Sequence, residues 1–99
     1  MLLIIGTIRL PADVLDAARP LMAAMVESSR AEAGCLKYYY SEDVVDRGLI
    51  HVEELWLNRT SLDQHFNTEH LAVWRESWSY LGIGERNLCV YEVGEPSPV

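Results

Sequence analysis

Basic residues are scarce in this 99-residue chain: eight Lys and Arg stand against fifteen Asp and Glu, for a net charge of −7. Without a cationic surplus to neutralise phosphates, the chain is poorly suited to non-specific nucleic-acid binding. Anionic lipid surfaces would repel it. Cysteine is almost missing, and two residues, Cys35 and Cys89, do not make a disulfide framework. No long apolar run is present either. Met1-Leu2-Leu3-Ile4-Ile5 has no basic residue ahead of it and is soon broken by Gly6, Thr7 and Arg9, too short and wrongly flanked for a signal peptide or a membrane span. A soluble, cytoplasmic protein is therefore expected. Internal repeats, low-complexity stretches, Gly-rich dinucleotide fingerprints and phosphate loops are also lacking. What is left is one globular domain, expected over residues 1–95, with 96–99 as a tail. Its 49% hydrophobic and 23% charged residues speak against disorder.

Leu2 to Leu10 reads as a strand with apolar groups on both alternating sets, ended by Pro11, which cannot donate to a ladder. Asp13 is positioned to cap a helix over Val14 to Ala33, whose inner stripe is Val14, Ala18, Leu21, Met22 and Met25. Pro20 should kink it, and Gly34 should supply a left-handed C-cap. Cys35 to Ser41 is a second strand, with Leu36, Tyr38 and Tyr40 on one face and Cys35, Lys37, Tyr39 and Ser41 on the other. The polar segment Glu42 to Gly48 connects it to a third strand, Leu49 to Leu57. There Ile50, Val52, Glu54 and Trp56 share one face, opposite Leu49, His51, Glu53, Leu55 and Leu57. Thr60 or Ser61 should cap a short helix, in a capping box with Asp63, and Thr68 should cap the next. That helix carries His70, Trp74 and Trp78 at four-residue spacing with Leu71 and Leu81, and Gly82 and Gly84 close it. Arg86 to Val93 is the last strand.

The order strand, helix, strand, strand, helix, strand points to an α+β fold, a ferredoxin-like split βαβ sandwich with a four-stranded antiparallel sheet. The second and fourth strands then occupy opposite edges, too far apart for a Cys35–Cys89 bridge. Helices can cover only one face of such a sheet. Leu3, Ile5, Tyr39, Leu55, Leu57 and Tyr91 would be left on the other, so a homodimer packed through the sheet face is expected.

Chemistry concentrates between Leu49 and Leu81. Glu54 and Trp56 point the same way on their strand, and His65 and His70 follow on the helical segments. If the Glu54 face looks at the helices, its carboxylate can raise the pKa of a histidine and fix its tautomer. That imidazole could then take a proton from a phenolic hydroxyl or an activated C–H. Trp56, Phe66, Trp74 and Trp78 would wall an apolar slot for a flat aromatic molecule, with Tyr38 and Tyr40 as hydroxyl donors. Core packing explains the Trp74–Trp78 stripe equally well, and a buried hydrogen-bonded pair explains Glu54 with a histidine. No metal site is expected: the two histidines are five residues apart across a helix break, with no cysteine nearby as a third ligand.

The segment Ser28 to Trp74 resembles the antibiotic biosynthesis monooxygenase domain family. The matching landmarks are Ser29-Arg30-Ala31-Glu32-Ala33-Gly34-Cys35-Leu36-x-Tyr38, Glu54-x-Trp56, Ser61-Leu62-x-x-His65 and Thr68-Glu69-His70-Leu71. The resemblance implies ferredoxin-like subunits that pair into a dimeric α/β-barrel. Activities in the family include cofactor-free oxygenases of anthrones and hydroquinones, isomerases of small signalling sugars, and haem-degrading enzymes. The haem-degrading branch has an Asn on the first strand and a Trp on the helices; Leu2 to Leu10 has no Asn, and His65 stands where that Trp would be. The activity implied is a cofactor-independent monooxygenase of the quinol monooxygenase kind, using dioxygen on an electron-rich aromatic with His65 or His70 as base. A small-metabolite isomerase using the same pocket, or a non-catalytic ligand-binding dimer, are the alternatives.

Overall fold

The computed structural model describes residues 1–99. Eight-residue strands β1 (Leu2–Arg9), β2 (Cys35–Glu42), β3 (Leu49–Trp56) and β4 (Glu85–Glu92) form one antiparallel sheet in the order β2-β3-β1-β4. Helices α1 (Leu15–Arg30), α2 (Arg59–Phe66) and α3 (Glu69–Leu81) accompany it. This is the ferredoxin-like arrangement expected from the element order, with β2 and β4 at the edges and both thiols free.

The alternation of β1 and β3 decides where the core lies. Leu2, Ile4 and Ile8 of β1 and Ile50, Val52, Glu54 and Trp56 of β3 are buried on the same side. Against them pack Leu15, Ala18, Met22, Met25 and Val26 of α1, with Leu71, Trp74, Ser77 and Leu81 of α3. On the opposite side of the sheet Leu3 and Leu55 are half-buried, while Ile5, Tyr39 and Tyr91 are exposed.

Local chemistry moved several boundaries. Ala12–Val14 forms a single 3-10 turn, so Asp13 lies inside that turn and caps nothing. Helix α1 starts later and ends earlier than its apolar spacing implies, and it runs as one element through Pro20. The bond that Pro20 cannot make is the one to Asp16, in the first turn. Gly34 is left-handed at φ +82°, but it ends the turn after α1 rather than capping the helix. In β2, Cys35 pairs with Trp56 and Lys37 with Leu55, which leaves Leu36 as the extra residue of a β-bulge. The bulge turns Cys35 to the core side and puts Leu36 in solvent, reversing the simple alternation.

The caps of α2 and α3 also differ from the sequence pattern. Asn58, not Thr60 or Ser61, caps α2: its side-chain oxygen accepts from the Ser61 backbone N–H at 2.9 Å and from the Ser61 hydroxyl at 3.0 Å. Thr68 occupies the N-cap position of α3, but its hydroxyl donates to the His65 carbonyl at 2.7 Å. Gly82 closes α3 in the left-handed conformation, as its position implies.

Helix α2 is short and leans on its cap. Asn58→Ala should lower unfolding stability by about 1 kcal/mol, while Asn58→Asp, which keeps the acceptor, should restore most of it. Urea denaturation measures both; an alanine variant as stable as the parent would show that the cap contributes nothing.

Candidate active site

A cavity of about 210 Å³ opens between α3 and the helix-facing side of the sheet. Its apolar wall includes Ile4, Leu71, Trp78, Leu88 and Val90, with Phe66 at the rim. Its polar lining comes from Tyr38, Tyr40, Glu54 and His65, with Arg75 and Arg86. Tyr38, Glu54 and His65 are all nearly inaccessible to solvent, so they form the inner end.

Three separate pieces of chain meet behind that inner end. Glu32 sits in the turn after α1, where Gly34 lets the chain reverse: a Cβ at Gly34 would lie 2.1 Å from the Ser61 hydroxyl oxygen. His65 is on the inner face of α2, and His70 is in the first turn of α3. One carboxylate oxygen, Glu32 Oε2, lies 2.6 Å from His65 Nδ1 and 2.8 Å from His70 Nε2. An ionised carboxylate only accepts, so both ring nitrogens donate to it. The His65 tautomer follows: Nδ1 carries the proton, and Nε2 turns its lone pair toward the cavity. There the Tyr38 hydroxyl is 3.3 Å away and Glu54 Oε1 is 3.9 Å away.

Electrostatics keep this cluster poised near neutrality. Burial pushes His65 below its usual value, with Glu32 opposing in part, so the imidazole is neutral at pH 7. Burial pushes Glu54 up to about 7, although the Trp56 indole N–H donates to it at 3.0 Å and the Arg75 charge favours ionisation. Burial raises the Tyr38 and Tyr40 phenols above their free values, so both keep their protons. The inner wall therefore presents an unprotonated nitrogen, a carboxyl that titrates near pH 7, and two hydroxyl groups.

Several residues singled out by the sequence come together here and others do not. Glu54, His65, Tyr38, Tyr40, Phe66 and Trp78 line the cavity. Trp56 and Trp74 do not: both are core, Trp56 beneath the site with its N–H on Glu54, and Trp74 edge-on to Tyr40 and Trp78. His70 faces a different groove, between α1 and α3. The close histidine–carboxylate bond belongs to Glu32 rather than Glu54. Glu32 had no periodicity to mark it, only its place in the Ser29-to-Tyr38 landmark. Arg75 and Arg86 were also missed, because an arginine on a solvated helix or edge strand carries no signal of its own.

Glu32, His65 and His70 also form a possible donor set, with ligand atoms all within 4.8 Å of one another. The spacing of the histidines speaks against a metal for want of a third ligand, and the fold supplies that ligand from a distant turn. In the arrangement present the carboxylate oxygen already bridges the two rings, so a cation would have to displace a proton from each.

A family model described as antibiotic biosynthesis monooxygenase matches residues 1–77. A Deinococcus radiodurans structure, provisionally described by that same family name, superposes with a TM-score of 0.92 at 25% identity, covering 100% of this chain and 98% of that one. The PA3566 protein of Pseudomonas aeruginosa gives 0.79 at 30% identity, over 97% of this chain and 94% of that one. The Synechocystis protein sll1783, itself uncharacterized, is 28% identical over 94 residues; that is 95% of this chain but 64% of the relative.

Burial of Glu54 makes stability depend on pH. Below pH 4.5 folded and unfolded chains both hold the proton; as pH rises through 7 the unfolded state has lost it and the folded state yields it at a cost. Glu54→Gln keeps an acceptor for Trp56 and removes the charge. Its stability should match the parent near pH 4 and exceed it at pH 8 by on the order of 3 kcal/mol. Denaturation at the two pH values decides this, and an equal stability at both would mean that the carboxyl is well solvated.

Proposed function

The chain belongs to the antibiotic biosynthesis monooxygenase family, and from that premise we propose that it is a cofactor-independent oxygenase of a small electron-rich aromatic, of hydroquinone or anthrone type. The observation that carries this reading is the His65 imidazole, held as the Nδ1–H tautomer by Glu32, with an unprotonated Nε2 beside the Tyr38 hydroxyl at the inner end of an apolar cavity. A neutral, oriented imidazole beside a carboxyl that titrates near 7 is what general base catalysis at neutral pH requires.

In this reading the substrate presents an O–H or activated C–H to His65 Nε2, which takes the proton. Glu32, 2.6 Å from Nδ1, stabilises the imidazolium that forms. The substrate anion passes one electron to dioxygen, and the resulting radical and superoxide combine at the ring carbon to give a peroxide. Cleavage of its O–O bond, with return of the proton from His65, releases water. For an anthrone-type CH2, one oxygen atom ends in the new carbonyl and the other in that water, with both hydrogens of the carbon. The protein supplies a base, orientation and exclusion of solvent. His70 positions Glu32 from its other side and links it to the outer groove. It serves as a positioning residue and a route for the proton to solvent.

The domain, residues 1–95, is proposed to work as a homodimer. Ile5, Tyr39 and Tyr91 on the helix-free face of the sheet would be covered by the same face of a second copy. The free thiols Cys35 and Cys89 suit the reducing cytoplasm. No helix is long and apolar enough to cross a membrane.

Oxygen uptake with a panel of hydroquinones and anthrones tests the chemistry. His65→Gln should lower turnover by about 10²–10⁴-fold, and His70→Gln by much less. Uptake unchanged in His65→Gln would reject the assignment of the base, and turnover of a substrate without oxygen consumption would instead favour an isomerase. For the assembly, light scattering should give the mass of two chains for the parent and of one for Ile5→Lys; a monomeric parent would remove the dimer.

A further inference from the structure

We infer that the cavity takes a ligand bearing a permanent anionic group, held at its mouth by the guanidinium groups of Arg75 and Arg86, with a flat apolar body reaching inward to Glu54 and His65. This names the substrate class for the oxygenase reading and depends on that reading for the reaction, though not for binding.

Placement sets the two arginines apart: Lys37, Arg47 and Arg59 are also unpaired, but of the unpaired cations only Arg75 and Arg86 line this cavity. Acidic residues outnumber basic ones fifteen to eight, so partners are plentiful. Arg9 pairs with Asp46 and Arg19 with Glu42 and Asp16, while Arg30 donates to the Tyr38 carbonyl. The guanidinium groups of Arg75 and Arg86 line the cavity yet form no ion pair and no hydrogen bond with any protein group. The Arg86 charge also acts unfavourably on Arg75: burial first, and then Arg86, lower the affinity of Arg75 for its proton. Two unpaired cations side by side raise the energy of the empty site, and an anion between them relieves it.

Placement gives the ligand a direction. Arg75 lies one turn from Leu71 and Trp78 on α3, its guanidinium 5.1 Å over the Trp78 ring. That stacking fixes the plane of the group and leaves its edge N–H donors for a carboxylate, sulfonate or phosphate. Arg86 comes from β4, on the helix-facing row with Leu88 and Val90, opposite Ile8 of β1. Both arginines are exposed whereas Glu54 and His65 are buried, so the cations mark the entrance and the acid–base groups the far end. A volume of about 210 Å³ is below the usual range for drug-sized ligands, which favours a body of one or two rings. An anionic group at the far end would instead face Glu54.

Isothermal titration of the full chain with 2-naphthoate and with its neutral counterpart 2-naphthamide tests the subsite without requiring turnover. The carboxylate should bind about tenfold more tightly at low salt, with the gap narrowing at high salt. Arg86→Gln, which leaves the Trp78 contact untouched, and Arg75→Gln should each reduce the preference, and the double variant should abolish it. Equal affinity for the two probes, no binding of either, or a preference that survives in the double variant would overturn the proposal. Preference for naphthoate without oxidation of any hydroquinone would keep the subsite and sink the oxygenase. Oxidation of neutral hydroquinones by a parent protein with no carboxylate preference would do the reverse.

Discussion

One carboxylate oxygen joined to two imidazoles organises the half of this molecule that holds the candidate site. Glu32 reaches from the turn after α1 to His65 on α2 and His70 at the start of α3. Three elements are thereby tied by side chains at a point where the backbone contributes only the Thr68 N–H to His65 carbonyl and Leu57 N–H to Gly34 carbonyl bonds. The bond does chemical work as well, since it decides which nitrogen of His65 carries the proton. Without Glu32 the ring would have no partner at Nδ1, and either tautomer could face the cavity. The turn itself depends on Gly34, whose left-handed backbone and missing Cβ let it pass against Ser61. Ser61 is in turn bonded to the α2 cap, Asn58. A cap, a glycine and a carboxylate thus act in series on one imidazole.

The same cluster is costly to fold. Burying Glu54 beside Trp56, at a position where Ile50 and Val52 fill the same strand face, gives up stability whenever the carboxyl is ionised. His65 also sits in the core, where its own protonation is disfavoured. Neither is a residue that packing alone would select. The apolar remainder of the core, from Leu2 and Ile8 to Trp74 and Leu81, offsets this cost by ordinary burial. Groups kept at a loss in an otherwise apolar layer, next to a cavity that reaches the surface, support the proposed site over a scaffold held by packing alone.

Much of the fold was legible because period and punctuation agreed. The alternation of β3 put Ile50, Val52, Glu54 and Trp56 on one face, and all four are buried. Gly82 marked the end of α3, and the order of elements implied the sheet order. Errors arose where a local interaction outbid the pattern. A 3-10 turn absorbed Asp13, Asn58 took the cap expected of Thr60 or Ser61, and one bulged residue, Leu36, reversed the facing of Cys35. Trp56 and Trp74 looked like cavity walls because an indole in the core and an indole at a pocket share the same spacing.

By itself the sequence determined the α+β topology and which side chains share a face within each element, Glu54 with Trp56 on β3 among them, because periods of two and of three to four residues dictate which side chains share a surface. Only the tertiary structure decided which carboxylate meets the histidines. Glu32 lies 33 and 38 residues before them, and no periodicity relates groups so far apart. The same holds for Arg75 and Arg86, which reach one cavity from α3 and from β4 on its two sides. Contacts between elements depend on how layers stack, and stacking follows from the summed packing of the whole core rather than from any stretch of chain.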